Sequence, residues 1–304
     1  MSRINIIALS VCITGFVALG IFWAGNIDIG IGSINADTAS TSVTIGNSSP
    51  SVSSVDLNAG TIITLTENTT TTVDCTATLT DSNGGGDISS ATSTIYRSDL
   101  GSSCSADDAN CYRLTSAQCV LGSVSGNDRP VTCTADIQFF ADATDSGTYN
   151  ASTWQCEITA TDSQSASGSG TDASPPEVET LNALDVTSSI DFGTLSAGQT
   201  VDPLTITTVA TTTGNVAIDV NISGTDLTGA GTIGVAQQKY ATSSVSYASG
   251  ISLSTSPTPL ELESSKPTSS PSNQADTIYW GISIPGGQTV GGYSGTNTFT
   301  AIAD

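Results

Sequence analysis

Two stretches of this 304-residue sequence share a pattern that constrains the fold more than any other feature. Residues 71–83 read TTVDCTATLTDSN and residues 153–162 read TWQCEITATD, and in each stretch a cysteine precedes an aspartate by six residues. Apolar side chains alternate with polar ones around both cysteines, which puts each apolar set on one face of a β-strand. Two such strands can face each other across a core and be joined by a disulfide. The alternating sets are Val73, Cys75, Ala77 and Leu79, and Trp154, Cys156, Ile158 and Ala160.

The N-terminus has the pattern of an export signal. Arg3 is the only charged residue before Asp28, and the 20 residues from Ile4 to Trp23 are mostly apolar. This run is longer than the ~7–15 residues typical of a signal peptide and just long enough to span a bilayer, which takes ~20 residues. Residues 1–36 are therefore either a signal peptide or a retained N-terminal membrane anchor with an approach segment. Both interpretations predict that the rest of the chain is extracellular or at the cell surface, and that it meets the membrane only through this segment.

The remaining cysteines agree with an exported chain. Besides Cys12 in the apolar run there are six, and none of them forms a C-x-x-C motif. An even number of cysteines in an exported chain indicates disulfides rather than a metal or redox site. Fifteen pairings of six cysteines exist, and we expect three bridges. They are Cys75–Cys156 across the core, Cys104–Cys111 around the loop SADDAN, and Cys119–Cys133 across a hairpin with the turn SGNDRP.

Charge and composition argue against several classes of function. The chain has 28 Asp and Glu against 6 Lys and Arg, and its net charge of −22 repels the phosphate backbone of nucleic acids. It contains no histidine, so neither a Ser-His-Asp nor a Cys-His catalytic site can form. Hydrolysis of sugars by two carboxylates stays open in principle, but no acidic pair has the apolar surroundings that would raise one pKa. We therefore expect a protein that is not an enzyme.

Strand and turn patterns predict an all-β fold with two antiparallel β-sandwich domains. The first domain, residues 37–165, carries the six cysteines. Residues 166–177, in a stretch rich in Ser, Gly and Pro, are expected to be a linker. The second domain, residues 178–304, has no cysteine and alternates well around Val220 and Trp280. The candidate strands of the first domain are Val52–Leu57, Ile62–Leu65, Thr72–Thr80, Ser93–Arg97, Tyr112–Val120, Val131–Phe139 and Thr153–Asp162.

The stretch DSGTY at residues 145–149, followed by a strand with Trp154 and Cys156, resembles part of immunoglobulin-like and fibronectin-like domains. That family carries the pattern D-x-G-x-Y-x-C, and the Asp, Gly and Tyr of this stretch match it. The chain departs from the pattern because Cys156 comes seven residues after the tyrosine rather than two, and because the tryptophan lies beside this cysteine. The resemblance covers about a third of the chain. It implies an Ig-like sandwich similar to those of prokaryotic cell-surface and fibre proteins, and a generic disulfide-tied sandwich is the alternative.

A glycine-rich turn after the first cysteine strand is a candidate Ca²⁺ site. DSNGGGD, residues 81–87, offers Asp81, Asn83 and Asp87 as oxygen ligands, as at the start of a Ca²⁺-binding loop. The glutamate expected at the twelfth position of such a loop is missing. Asp162 follows its cysteine as Asp81 does, so it could approach the same end of the sandwich. The alternative is an ordinary turn between strands.

Other candidate sites are sequons and tryptophans. Trp154 and Trp280 each lie on an alternating apolar face, so we expect them to pack in cores rather than to stack on sugars. Glycosylation would need a host with the machinery. The N-x-[ST] sequons are at Asn47, Asn68, Asn150 and Asn221.

These features predict an exported, non-enzymatic structural or adhesive protein, a subunit of a prokaryotic surface layer, fibre or stalk. Its expected partners are further copies of itself or other cell-surface proteins. The alternative is an extracellular binding module for carbohydrate or a partner protein, and a secreted hydrolase ranks third. Residues 26–34 place Ile27, Ile29 and Ile31 on alternate positions. This segment is either a membrane-proximal spacer or a strand that pairs with the sheet edge of a neighbouring subunit.

Overall fold

The computed structural model describes residues 39–304, and within it Asn47–Asp304 forms one compact unit. The predicted signal or anchor over residues 1–36 and the strand-like segment at residues 26–34 lie outside the described residues. Within residues 39–304, no helix is long and apolar enough to cross a membrane. The fold is all-β, and the predicted fold class is confirmed.

Eight strands make the first half of the compact unit: β1 (Ser51–Leu57), β2 (Thr70–Thr80), β3 (Ile88–Arg97), β4 (Cys111–Leu114), β5 (Cys119–Leu121), β6 (Asp128–Gln138), β7 (Trp154–Asp162) and β8 (Ser167–Thr171). They form two antiparallel sheets with the orders β1-β2-β6-β5 and β4-β3-β7-β8. Short 3₁₀ turns occur at Asn58–Gly60, Gly85–Asp87 and Gly147–Tyr149.

Alternating apolar residues explain why the two sheets pack face to face. Every second residue of β7, from Trp154 to Asp162, is buried, and β2 buries its own alternate residues. A fully buried side chain of the size of Leu or Ile contributes about 1.5–3 kcal/mol to stability. The disulfide Cys75–Cys156, with a Cα–Cα distance of 6.4 Å, joins the sheets through this core. The other two expected pairs, Cys104–Cys111 and Cys119–Cys133, are also disulfides, so all three predicted bridges are confirmed.

Two predicted strands differ from the structure. Tyr112–Val120 is two strands in opposite sheets, because β4 ends at Leu114 and β5 begins at Cys119. Between them Gln118 folds back, and its Oε1 accepts hydrogen bonds from the backbone and the hydroxyl of Thr115. Ile62–Leu65 is not a strand, although Ile63 is buried and makes an isolated parallel bridge to Val178. The alternating apolar residues of that segment therefore indicated buried side chains but not a strand of a sheet.

The predicted linker at residues 166–177 is corrected, because these residues belong to the first sandwich. Ser167–Thr171 forms β8 and pairs with β7, and the carbonyl of Pro176 accepts a hydrogen bond from the backbone of Trp154 at 2.8 Å. The glycines of the stretch serve close packing rather than flexibility. A Cβ on Gly168 would lie 2.0 Å from the carbonyl oxygen of Pro50, and one on Gly170 would lie 2.8 Å from that of Val52. Because glycine has no side chain, β1 of one sheet can pack closely against β8 of the other at this edge of the sandwich.

Eleven strands make the second half: β9 (Leu184–Val186), β10 (Ile206–Thr212), β11 (Ile218–Gly224), β12 (Leu227–Gly229), β13 (Thr232–Ile233), β14 (Gln238–Ala241), β15 (Ile251–Ser252), β16 (Thr258–Leu260), β17 (Ala275–Ile282), β18 (Tyr293–Ser294) and β19 (Asn297–Ala303). Short 3₁₀ turns lie at Val235–Gln237 and Tyr247–Ser249. The sheets have the orders β15-β14-β17-β10-β9, β16-β11-β19 and β13-β12-β18.

A second apolar cluster fills the space between the first two of these sheets. Trp280 lies fully buried at the centre of this cluster. The centroids of the Tyr240 and Phe299 rings lie 5.4 and 5.9 Å from that of the Trp280 ring. The two clusters are separate, but hydrogen bonds join the two halves of the chain. Asn215, ahead of β11, accepts from the backbone of Leu181 at 2.7 Å and donates to the carbonyl of Glu179 at 3.0 Å. The division into two domains stays a prediction.

Candidate functional site

Three carboxylates converge at one end of the first sandwich. Asp81 follows β2, Asp87 ends the 3₁₀ turn that leads into β3, and Asp162 is the last residue of β7. One oxygen from each lies within 4.8 Å of the others. The site therefore draws on both sheets, and we call these three residues the acidic cluster.

Hydrogen bonds fix the orientation of each carboxylate in the acidic cluster. Oδ1 of Asp81 accepts from the backbone of Asn83 at 2.7 Å, and Oδ1 of Asp162 accepts from the backbones of Gln164 and Ala166 at 2.9 and 2.8 Å. The hydroxyl of Ser163 donates to Oδ1 of Asp87. These hydrogen bonds within turns orient the side chains of the three aspartates.

Burial makes the acidic cluster unusual. Asp81 is 0% exposed and Asp162 2%, while Asp87 is half-buried. Oδ2 of Asp81 is enclosed and has no hydrogen-bond partner. Burial raises the pKa of Asp162, but hydrogen bonds from the Asn47 side chain and from backbone amides outweigh it and lower this pKa below its usual value. Asp162 is therefore ionised at neutral pH.

Two amide side chains border the acidic cluster. Nδ2 of Asn47 donates to Oδ2 of Asp162 at 2.7 Å. One terminal atom of the Gln164 amide lies 2.9 and 3.2 Å from the carboxylate oxygens of Asp87 and 3.1 Å from Oδ1 of Asn47. Nitrogen at this position donates to Asp87 and to Asn47, whereas oxygen there would face only other acceptors, so the amide is oriented with its nitrogen toward Asp87. No sequence pattern marks Gln164, whose role depends on the turn between β7 and β8.

The structure brings together the two carboxylates among the predicted Ca²⁺ ligands. Asp81 and Asp87 lie in the acidic cluster, and Asp162 joins them as its equal spacing suggested. Oδ1 of Asn83 accepts a hydrogen bond from the backbone of Ser48 at 2.8 Å. The glycines of the loop have a structural explanation, since Gly84 has φ +117° and a Cβ on Gly85 would lie 2.6 Å from the carbonyl oxygen of Asp128. The loop is thus a close-packed turn in addition to carrying two carboxylates.

A separate charged network lies at the opposite end of the first sandwich, beside the start of β7. Asp142 is buried, and its two carboxylate oxygens bind Nη1 of Arg97 and Nζ of Lys266. Nε of Arg97 also lies 2.6 Å from Asp99, and its guanidinium lies 3.6 Å from the ring centroid of Tyr149. Burial lowers the pKa of Arg97, but the neighbouring carboxylates outweigh it and raise this pKa. The network has a complete set of charge partners, and Lys266 links it to the second half of the chain.

A groove of about 1100 Å³ opens on the second half of the chain. Its walls are residues 187–197, which follow β9, and residues 288–296, which precede β19. Gln238 forms part of the wall and is 2% exposed. Its Oε1 accepts a hydrogen bond from Asn297 at 3.0 Å, while its Nε2 has no partner. The larger apolar side chains that line the groove include Ile190, Phe192, Ile282, Ile284 and Phe299.

A second acidic group, Asp219, Glu261 and Asp304, has three carboxylate oxygens within 4.8 Å of one another. Glu261 and Asp304 are exposed, and Oδ1 of Asp219 accepts from the backbone of Leu262 at 2.8 Å. The negative charge of Asp219 is the main cause that raises the pKa of Glu261. This group is a solvated cluster with no further sign of a ligand.

The other predicted sites are the two tryptophans and the four sequons. Trp154 and Trp280 are both fully buried, as expected of core residues. Asn68 and Asn150 are exposed, while Asn221 is half-buried in the middle of β11. Asn47 carries the remaining sequon, and its side chain donates a hydrogen bond to Asp162. Glycosylation at these positions stays a prediction.

A comparison with protein-family models finds no match, and no curated protein matches the chain. The three disulfides indicate an oxidising, extracellular type of compartment.

Proposed function

We propose that this chain is an exported, non-enzymatic structural subunit of a prokaryotic cell surface, in which copies associate into a layer, fibre or stalk. Three disulfides and the absence of histidine support an extracellular role without catalysis. The strand orders β1-β2-β6-β5 and β4-β3-β7-β8 follow the chain order of an immunoglobulin sandwich, ABED facing C′CFG. This order favours the Ig-like interpretation over a generic sandwich.

The observation that carries the proposal is the free edge of β19. In the described sheets, the other strands at sheet edges have two to five residues, except β1, which packs against β8. β19 has seven residues and pairs only with β11. A long unpaired edge offers backbone donors and acceptors to another chain, and proteins usually cover such an edge. In addition, Asn297 and Phe299 of β19 line the groove, so a strand on this edge would also find an apolar surface.

The strand proposed to occupy this edge is the segment of residues 26–34 of a neighbouring copy. Its nine residues are enough to pair along all seven residues of β19, and Ile27, Ile29 and Ile31 would lie on one face toward the apolar side chains of the groove. Pairing of backbones would give affinity, and the alternate isoleucines would give register. At roughly 25 cal/mol per Å² of buried apolar surface, three isoleucines are worth several kcal/mol before ordering costs.

Electron microscopy of the purified exported chain tests the structural role directly. We expect lattices or filaments of uniform spacing. A monodisperse monomer at every concentration and salt examined would contradict the structural role and favour the binding module. Determination of the mature N-terminus tests the occupant separately, since a chain that begins at Asp37 would lack residues 26–34 altogether.

Two matched pairs of variants test the edge. Ile29→Asp should abolish assembly, whereas Asp28→Asn, on the other face of the same segment, should not. Val290→Lys should weaken assembly, because it places a charge in the groove. Val290 is 98% exposed, so its replacement should leave the fold intact. Val124→Lys, an exposed turn position of the first half, is its control. Filaments that form unimpaired in Ile29→Asp and Val290→Lys would rule out this edge while leaving other modes of assembly.

One observation favours the alternative, a binding module. Nε2 of Gln238, in the wall of the groove, is an enclosed donor without a partner, and a polar ligand such as a carbohydrate would satisfy it once the side chain turns toward the groove. A glycan array on the monomeric chain distinguishes the two functions. Specific glycan binding that Gln238→Met abolishes, without assembly, would support the module.

A further inference from the structure

We propose that the acidic cluster of Asp81, Asp87 and Asp162 binds a Ca²⁺ ion. The ion would join the end of β2 to the start of β3 and the end of β7, and so connect the two sheets of the first sandwich. This inference is independent of the assembly role, since it concerns the opposite half of the chain from the groove.

The negative charge of the acidic cluster favours a bound cation. Three carboxylates within 4.8 Å of one another repel, and burial of Asp81 and Asp162 strengthens the repulsion. In the described chain the ion pairs involve only Asp99 and Asp142, at the other end of the sandwich. The guanidinium of Arg129 lies near the cluster, but it donates to the backbone carbonyls of Ile88 and Gly122 and forms no ion pair with Asp87. A divalent cation would supply the missing positive charge.

The enclosed Oδ2 of Asp81, which has no hydrogen-bond partner, also favours a bound cation. An ordinary turn accounts for the bond between Oδ1 of Asp81 and the backbone of Asn83, and for the glycines that follow. It does not account for a buried carboxylate oxygen without a donor, because leaving such a group unpaired is costly. Nor does the turn at residues 81–87 require the carboxylate of Asp162, which comes from another hairpin. A cation satisfies both observations at once.

The donor set selects the ion. Every candidate ligand is an oxygen, as hard cations prefer, and the described cluster offers neither sulfur nor imidazole. Ca²⁺ takes six to eight oxygens with flexible geometry and accepts water among them, so the three carboxylates need only be supplemented by water. Hydrogen bonds from backbone amides to Asp81 and Asp162 orient the ligands in advance, as outer contacts do at metal sites. Mg²⁺ is a poorer fit, because it demands a near-ideal octahedron.

Calcium chloride titrated into the EGTA-stripped exported chain tests the proposal. Calorimetry should show one bound ion, and the melting temperature of the protein should rise with Ca²⁺. Asp87→Asn is the decisive variant, since Asp87 is half-buried and an Asn oxygen can still accept from Ser163. We expect its Ca²⁺ affinity to fall at least tenfold. In EGTA this variant should melt at or above the wild-type temperature, because one of three like charges is gone, and in saturating Ca²⁺ it should melt below it.

The control variant is Asp108→Asn, an exposed carboxylate in the loop closed by Cys104 and Cys111, which should behave as wild type throughout. A wild-type melting temperature that is the same in EGTA and in Ca²⁺ would overturn the proposal. So would equal losses in Asp87→Asn and Asp108→Asn, because Ca²⁺ would then bind elsewhere. An equal rise with magnesium chloride would overturn the assignment to Ca²⁺.

Discussion

Asp81 and Asp162 meet at one end of the first sandwich, and each lies six residues after a cysteine of the same disulfide. Six residues of strand advance about 20 Å at ~3.3 Å per residue. The two carboxylates can meet only because β2 and β7 run in the same direction in facing sheets. The disulfide therefore fixes the relative register of the strands that deliver both carboxylates to the acidic cluster.

Loss of the Cys75–Cys156 bridge should destabilise the chain more than loss of any other bridge. It closes a loop of 81 residues, for which the chain-entropy model gives about 4–5 kcal/mol. The Cys119–Cys133 bridge spans 14 residues and should be worth about 3 kcal/mol. Urea unfolding of the double variants Cys75→Ala/Cys156→Ala and Cys119→Ala/Cys133→Ala measures both. A larger loss in the second variant would show that loop length does not govern these bridges.

Replacement of Gly168 distinguishes a strand from a linker. In Gly168→Ala the new Cβ would lie 2.0 Å from the carbonyl oxygen of Pro50, so β1 and β8 must separate. We expect a loss of roughly 1–3 kcal/mol in the free energy of unfolding, as for other overpacked sites. Gly86→Ala is the control, because nothing lies within 4 Å of its Cβ. Equal unfolding midpoints for the two variants would mean that residues 166–177 behave as the flexible linker that their composition suggested.

Sequence patterns predicted the local features well. Alternation around Cys75 and Cys156 identified two core strands, their facing arrangement and the bridge between them. The equal spacing of Asp81 and Asp162 from these cysteines also predicted that the two carboxylates lie at the same end of the sandwich. These inferences succeed because a period of two decides which side of a strand is buried, and because a disulfide fixes two positions in space.

Features that depend on long-range contacts were not readable from the sequence. The glycines at 168 and 170 have the composition of a linker, and only the approach of β1 reveals their packing role. Burial of Ile63 looks like a strand signal, although its partner is the distant Val178. Gln164 joins the acidic cluster only through the turn after β7. In each case the deciding neighbour lies far along the chain or within a turn whose shape alternation does not encode.

Glu261 provides a test of pH dependence. The negative charge of Asp219, followed by burial and by Asp304, raises the pKa of Glu261, so the folded chain binds its proton more readily than the unfolded chain. Ionised Glu261 therefore destabilises the fold at neutral pH, and this effect fades as pH falls through the raised pKa. Glu261→Gln should melt above wild type at pH 7, and its advantage should vanish by about pH 4.

Thermal melts between pH 7 and pH 4 measure this difference. Glu67→Gln, at an exposed position ahead of β2, is the control and should show no such advantage. An advantage of Glu261→Gln that grows as pH falls would contradict the repulsion with Asp219.

The network around Asp142 should be a main energetic link between the two halves of the chain. Arg97→Met should cost roughly 3–5 kcal/mol, since it leaves a buried carboxylate with only a partly exposed lysine. Lys266→Met should cost less, about 1–2 kcal/mol, because Arg97 still neutralises Asp142. The matched control is the other lysine, Lys239, whose Nζ donates to the carbonyl of Ala248 at 3.3 Å and lies 4.9 Å from the Tyr247 ring.

Lys239→Met should therefore cost less than about 1 kcal/mol. Urea unfolding followed separately by fluorescence of Trp154 and of Trp280, each studied with the other tryptophans replaced by Phe, reports on the two cores. In the parent chain we expect coincident transitions, and in Lys266→Met we expect the two probes to separate, because a contact between the halves is lost. Transitions that stay coincident in Lys266→Met, with a cost no greater than that of Lys239→Met, would show that the ion pair between Asp142 and Lys266 does not couple the two sandwiches.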